Sequence, residues 1–286
     1  MRASVRSANK ITVDKLSTSL RPLKAPEPSD RREYVQSIGR GFAVIKSFAG
    51  RADALTITDV AQRTGLSRAS ARRFLLTFKE LGYVSGEGAR FRLTPRVLDL
   101  GFTFLSTMRL PDIAQATMEE VVATVHESCS ITVLDGMDIV YVGRVPTKRI
   151  MAIALAVGAR LPAYPTSMGR VLLASLDAAS LDRYMSQVVL EPLTARTVTS
   201  KSQLSRILDE VREQGWAIID QEVEVGVRSV AAPIRDHSGC TAAAINISSH
   251  ASRVSMRELR GRYLPILLQA ADRISNLLGA PPRKRG

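Results

Sequence analysis

The chain has 286 residues, 45% of them hydrophobic and 23% charged, with a formal net charge of +13. That length suits two modest domains, and the composition is that of an ordinary soluble globular protein. Three classes are excluded: Cys129 and Cys240, the two cysteines, make no disulfide framework or metal spacing, no window reaches the ~18 apolar residues of a membrane span, and the N-terminus lacks the apolar stretch of a secretory signal. The expectation is a cytoplasmic protein with no metal, no cofactor and no membrane partner.

The positive charge is unevenly placed. Residues 1–33 carry +4 and 34–97 carry +7, which leaves only +2 for 98–286. A positive field confined to one end is the footprint of a polyanion partner, and nucleic acid is the natural candidate. Residues 1–33, with Pro22, Pro26 and Pro28 and no sustained periodicity, read as a mobile basic tail.

From Tyr34, the positions Val35, Ile38, Phe42, Val44, Ile45 and Phe48 approximate helical spacing and end near Gly50. A second, short helix is predicted with Thr58 as its N-cap, Val60 and Ala61 facing inward, and a stop at Thr64-Gly65. Ser67 caps a third helix whose Ala71, Phe74, Leu75, Phe78 and Leu81 form one stripe before Gly82 ends it. Tyr83–Ser85, a turn at Gly86–Ala89 and Arg90–Leu93 then read as a β-hairpin, Phe91 and Leu93 on one face and two arginines on the other. Thr94-Pro95 opens a linker helix that runs to about Met108 and is closed by Pro111.

Beyond that point the pattern predicts a helix over 112–127, strands near 131–134, 139–145 and 150–156, helices near 166–175, 178–187 and 200–214, strands near 216–220, 228–235 and 241–248, and a last helix over 255–278. Helices and antiparallel strands without strict βαβ alternation indicate an α+β arrangement. The expected organisation is a basic tail (1–33), a winged helix-turn-helix domain (34–94), a linker helix (95–110), a second domain (111–280) and a basic C-terminal tail (281–286).

The segment from Thr58 to Leu76 has the grammar of a helix-turn-helix. Ala61 is small where two helices cross, Gly65 permits the tight turn, Leu66 plugs the core, and Ser67 caps the recognition helix. With Phe74, Leu75 and Phe78 buried, the free face carries Arg68, Ala69, Arg72, Arg73 and Lys79. Arg68 and Arg72 lie one turn apart near the helix N-terminus, where side chains meet base edges, and an arginine pairs with guanine O6 and N7 for about 1–3 kcal/mol of discrimination. Ser67, Ser70 and Thr77 suit phosphates, and Arg90 and Arg92 on the hairpin suit the backbone or minor groove as a wing. The expected partner is double-stranded operator DNA.

Three stretches carry a family likeness. The three helices and hairpin at 35–94, the run Gly158-Ala-Arg-Leu-Pro-Ala-Tyr-Pro-Thr-Ser-Met-Gly-Arg-Val-Leu-Leu-Ala174, and the run from Gly215-Trp-Ala-Ile-Ile-Asp to Ala-Ala-Pro233 together resemble the IclR family of bacterial regulators over roughly 34–280. Tyr34–Ile38, Leu134–Pro146 and Leu161–Gly169 are similar to its PcaR/PcaU/PobR branch, which controls aromatic-acid catabolism through the β-ketoadipate pathway. The resemblance implies a GAF-like α/β effector-binding domain, homodimers that pair into tetramers, and a small anionic aromatic or dicarboxylate effector such as protocatechuate, 4-hydroxybenzoate or 3-oxoadipate. It further implies a pocket made of Ile150, Ile153 and Leu161 as apolar wall, Ser167 and Met168 at a helix end, and Val227, Ser229, Asn246 and Ser248 from the late strands. The free N–H groups of a helix opening at Thr166–Gly169 suit a carboxylate. Arg144, Arg149 and Arg228 are cations that could neutralise an anion, but a surface or ion-pair role fits them better.

Two other functions stay open. An enzyme is disfavoured because the chain lacks G-x-S-x-G, P-loop and H-E-x-x-H patterns, and His126, His237 and His250 have no nucleophile or ligand at telling spacing. Alternatively, the second domain serves only oligomerisation, since two-fold DNA half-sites need a dimer.

Overall fold

Among the described residues, six helix starts are closed by a side-chain oxygen. Thr56, Ser67, Thr166, Asp177, Ser200 and Ser255 each accept a hydrogen bond from the backbone N–H three residues on, which satisfies a donor that the helix itself leaves free. The computed structural model describes residues 34–49, 54–87, 89–101, 110–147 and 155–281. The chain divides into two units, with the break between residues 107 and 108. The tail at 1–33, Ile150, Ile153, Arg149, residues 102–109 of the expected linker helix and residues 282–286 lie outside the described residues.

In the first unit, helix α1 is Gln36–Lys46, strand β1 Leu55–Thr56, helix α2 Ile57–Thr64, helix α3 Arg68–Glu80, and the hairpin strands are β2, Val84–Glu87, and β3, Arg90–Leu93. A three-stranded antiparallel sheet runs in the order β1-β3-β2. The cap of α2 is Thr56 rather than Thr58, because Thr56 and Asp59 form a reciprocal capping box that satisfies two backbone donors at once. Gly65, at φ +69, ends α2 in the left-handed region that glycine adopts without steric cost. Gly86 reads as a turn residue but stands in β2, opposite Phe91. A Cβ there would lie 2.8 Å from the Phe91 ring, so the strand needs glycine for packing.

Val44, Phe48, Leu55, Val60, Ala61, Ala71, Leu75, Val84 and Phe91 bury one another in this unit. The stripe read on the first helix splits in two. Val44 and Phe48 are core, whereas Val35, Ile38 and Phe42 are half exposed and, with Tyr34, form an apolar face left open among the described residues.

The described part of the second unit begins with helix α4, Leu110–Val125, which contains Pro111, the residue expected to close the linker. Strands β4 (Ser128–Asp135), β5 (Asp138–Val145) and β6 (Arg160–Pro162) follow, then helices α5 (Ser167–Ala174), α6 (Ala178–Gln187) and α7 (Lys201–Gln214), strands β7 (Ala217–Asp220), β8 (Val227–Arg235) and β9 (Thr241–His250), and a last helix. That helix, α8, runs as Met256–Glu258, a π-helical turn at Leu259–Tyr263 and Leu264–Leu277. Pro265 follows the π turn, which takes up the chain where proline cannot donate to an i−4 carbonyl.

The six strands form one antiparallel sheet in the order β6-β5-β4-β9-β8-β7. Helices α4 and α8 pack on it, as does α5, with α7 against α5, so the central strands are buried almost continuously. This is an α+β unit with helices on a curled antiparallel sheet, a GAF-like arrangement. No described helix is long and apolar enough to cross a membrane.

Candidate functional site

On α3, one face is basic and open. Arg68, Ala69, Arg72, Arg73 and Thr77 are exposed, while Ala71 and Leu75 on the opposite side are fully buried. The Ser67 hydroxyl accepts from Ser70 N and contacts Ser70 Oγ, and Thr77 Oγ1 donates back to Arg73 O at 2.9 Å. The hydroxyl proton of Thr77 is therefore spent inside the helix. Lys79 is exposed as well, but its Nζ donates to Gly86 O at 3.0 Å. On β3, Arg90 and Arg92 are exposed and flank buried Phe91. Arg90 stands opposite Thr56 in the sheet. The bonds from Thr56 hold the Asp59 carboxyl below the usual carboxylate range, with Arg63 and Arg90 adding to them.

In the second unit, a cavity of about 40 Å³ opens between the start of α5 and the sheet face beneath it. It is lined by Leu161, Ser167, Met168, Val227, Ser229, Asn246 and Ser248, the residues anticipated from the family pattern that are described, together with Ser130, Tyr141, Arg144, Leu155, Thr166, Ile219 and Val223. Thr166 Oγ1 caps α5 by accepting from Gly169 N at 3.0 Å and donates to Ala163 O. A Cβ on Gly169 would meet Ala163 O at 2.0 Å, so glycine lets the helix start sit on the preceding turn. Ser167 and Ser229 share a hydrogen bond of 2.7 Å between their hydroxyls, and Thr132 Oγ1 points at Met168 Sδ at 3.4 Å.

The polar groups concentrate on neighbouring strands. Arg144 pairs with Ser130 and Ser130 with Asn246, so the three lie in one row across β5, β4 and β9. Tyr141 and Arg144 are three residues apart and would face opposite sides of a regular strand. An irregularity in the β4–β5 pairing at Ile131/Thr132 places Tyr141 opposite Thr132 and Arg144 opposite Ser130, and so turns both toward the cavity. Bulges re-aim side chains in this way.

Three features of this lining are electrostatically unfinished. Arg144 is half-buried, its Nη1 reaches Ser130 Oγ at 3.4 Å, and it makes no ion pair among the described residues. Burial pulls its pKa below the usual value, though a guanidinium stays charged. Asn246 is 4% exposed, and its Oδ1 has no hydrogen-bond partner among the described residues. The Tyr141 phenol is pushed up to about 12, chiefly by burial and against the pull of Arg144, so it stays protonated. Arg228 differs: its Nε pairs with Asp220 Oδ1 at 2.7 Å and its Nη1 donates to Val254 O, a structural use.

The walls are pinned from behind. Arg170, one turn into α5 and 2% exposed, pairs through both terminal nitrogens with Glu222 at 2.7 and 2.5 Å. Glu222 also accepts from Val198 N, and Thr194 and Thr197 donate to the carbonyls of Gln221 and Glu222. Val223, a wall of the cavity, is thereby held against α5. Among the described residues no group of His, Cys, Asp and Glu is placed to hold a metal ion.

A capped basic helix beside an arginine-bearing hairpin, followed by a sheet domain with a small polar-lined cavity, defines the class of ligand-responsive helix-turn-helix transcription regulators. Comparison with known proteins makes the assignment definite: residues 37–88 match the IclR helix-turn-helix domain and residues 102–276 the bacterial transcriptional regulator IclR C-terminal domain. The chain belongs to the IclR family. It is a DNA-binding transcription regulator and not an enzyme.

The Pca regulon regulatory protein of Pseudomonas putida is 43% identical over 84% of this chain and 82% of its own length. The p-hydroxybenzoate hydroxylase transcriptional activator of Acinetobacter baylyi is 35% identical over 86% of this chain and 93% of its own. The crystal structure of a transcriptional regulator from Rhodococcus sp. RHA1 superposes with a TM-score of 0.78 at 50% identity, covering 86% of this chain and 98% of that one. Such relatives place the chain in the branch of the Pca and p-hydroxybenzoate regulators.

Proposed function

We propose that this regulator controls genes of aromatic catabolism, binding its operator through α3 and the hairpin and releasing or re-engaging it when a small carboxylate enters the cavity of the second unit. In this reading Arg68 and Arg72 meet base edges in the major groove, Ala69 lets the helix approach closely, and Arg73, Ser67 and Ser70 hold phosphates. Thr77 joins them only as an acceptor or after giving up its bond to Arg73 O. Arg90 and Arg92 follow the backbone as a wing. The half-exposed apolar face of Tyr34, Val35, Ile38 and Phe42 supports self-association into the homodimer that a two-fold operator needs, and two dimers make a tetramer. The protein acts in the cytoplasm.

The observation that carries the sensing half is Arg144: a half-buried cation without an acidic partner among the described residues, facing a cavity that also holds an unsatisfied Asn246 acceptor. A buried charge costs free energy unless it is paired, so a carboxylate effector supplies the counter-charge that Arg144 lacks, while the Asn246 acceptor calls for a donor such as a ring hydroxyl. The names of the Pca and p-hydroxybenzoate relatives support an aromatic acid or a ring-cleavage product, with protocatechuate, 4-hydroxybenzoate and 3-oxoadipate as the compounds to try. The test is a gel-shift titration on a duplex enriched by the chain from random sequence, with each compound added in turn. A shift of the binding curve by one of them supports sensing. Indifference to all three, together with no heat of binding, leaves the second unit as an oligomerisation module.

A further inference from the structure

We infer that Lys79 acts on DNA indirectly, as the residue that aims the wing, and not as a contact of its own. The inference rests on the wing reading of Arg90 and Arg92. Lys79 lies in the last turn of α3, and its Nζ donates to Gly86 O at 3.0 Å. Strand β2 is the edge of its sheet, so carbonyls on its outer side have no ladder partner, and Lys79 satisfies one of them.

The base of the hairpin is fixed independently. Thr94 Oγ1 donates to Gly82 O, Tyr83 N to Phe78 O, the Phe78 and Tyr83 rings meet edge to face at 6.5 Å, and the Arg96 guanidinium covers the Tyr83 ring at 5.6 Å. Among the described residues, Lys79–Gly86 is the one hydrogen bond from the recognition helix to the outer half of the hairpin. Gly86 faces Phe91, and Phe91 stands between Arg90 and Arg92. Strand β3 is also held by β1, where Leu55 pairs with Phe91 and Thr56 with Arg90; the tether adds the link to α3 and so sets the angle at which the hairpin and its two arginines stand relative to the helix that carries Arg68 and Arg72. Its ammonium also sits at the C-terminal, negative end of the helix dipole, a favourable place for a cation.

Lys79→Met removes the donor and the charge while keeping an apolar stem of similar length. In the full chain, with an operator enriched from random sequence, a freed wing loses both phosphate contacts, and the slope of log K against log salt falls by about 1.8. Between 50 and 200 mM salt, that makes the affinity loss about 12-fold smaller than for wild type. Arg90→Ala/Arg92→Ala on top of Lys79→Met then adds nothing, Lys79→Arg restores wild-type behaviour, and hydroxyl-radical protection disappears at the wing while it persists at the recognition helix.

A slope change of only about 0.9, with multiplicative effects and intact wing protection, means that Lys79 holds a phosphate itself and overturns the inference. So does a Lys79→Met chain indistinguishable from wild type. If Arg90→Ala/Arg92→Ala is neutral in the wild-type background, the wing reading has failed and takes this inference with it. Far-UV circular dichroism of each variant keeps a folding defect from counting as any of these results.

Discussion

Arg144→Met separates affinity from stability more sharply than any other single change in the second unit. The substitution deletes the guanidinium and keeps much of the stem. In the ligand-free protein almost nothing is lost, because the guanidinium makes one long contact, 3.4 Å to Ser130 Oγ, and carries a desolvation cost that burial imposes on its charge. The melting temperature is therefore expected to stay level or rise.

A bound carboxylate, by contrast, loses a charge-assisted hydrogen bond worth about 1.5–3 kcal/mol, or roughly 10- to 150-fold in Kd. Isothermal titration with protocatechuate and 3-oxoadipate, beside thermal unfolding of the free protein, reads both quantities. An amide analogue of the effector closes the cycle: it should bind wild type weakly and Arg144→Met no worse. A Kd within twofold of wild type for the carboxylate, or equal losses for carboxylate and amide, would refute the reasoning.

Other expectations follow from the same geometry. Arg72→Ala should cost about 1–3 kcal/mol of discrimination at one base pair, whereas Arg92→Ala should weaken every duplex alike and lower the salt slope by about 0.9; gel shifts at several salt concentrations on matched and mismatched duplexes tell them apart. Glu222→Gln leaves the Arg170 charge, 2% exposed, without its counter-ion and should remove about 3–5 kcal/mol from the second unit, seen as a lower denaturant midpoint; a loss under about 1 kcal/mol would mean that water already answers that charge. Glu224 is buried, its Oε2 lacks a partner among the described residues, and burial raises its pKa. The folded state thus binds its proton more tightly than the unfolded one, so ionisation destabilises the fold as pH rises past the unfolded carboxyl value. Glu224→Gln should raise the melting temperature at neutral pH, and the gain should vanish in acid, below the unfolded value of about 4.3, where both states are protonated. A gain that persists there would assign the effect to packing.

Much of the first unit was legible because its signals are local. Ser67, Gly65 and the stripe Ala71, Leu75, Phe78 need only the next turn of chain to be read, and the exposed arginines of α3 follow once the buried side is known. The misplaced cap at Thr58 is a local misreading, since Thr56 and Asp59 stand at the i, i+3 spacing of a capping box. The other two failures are tertiary. Gly86 looks like a turn until Phe91 is seen to occupy the space of its missing Cβ. Lys79 carries the same charge as Arg73 in the sequence, and only the fold shows that a carbonyl of the neighbouring strand already engages it.

The cavity shows why a binding site is harder to read than a binding face. Ser167, Ser229 and Asn246 were found through family resemblance, since nothing in their spacing of 62 and 17 residues announces that α5, β8 and β9 bring them together. In the sequence Arg144 reads, like Arg149 and Arg228, as a surface or ion-paired cation, because one-letter identity cannot say whether a cation is paired. Two facts of the fold separate them. Arg228 is consumed by Asp220, and the irregularity in the β4–β5 pairing turns Arg144 to the side where Tyr141 already points, against the alternation that period-two reading assumes. The residue that best argues for an anionic effector is thus the one a strict strand pattern would send to the opposite face. That makes the bulge itself part of the recognition: shifting the register by one residue at Val142-Gly143 would carry Arg144 out of the cavity without altering a single lining side chain from the late strands, and should weaken carboxylate binding as much as Arg144→Met does.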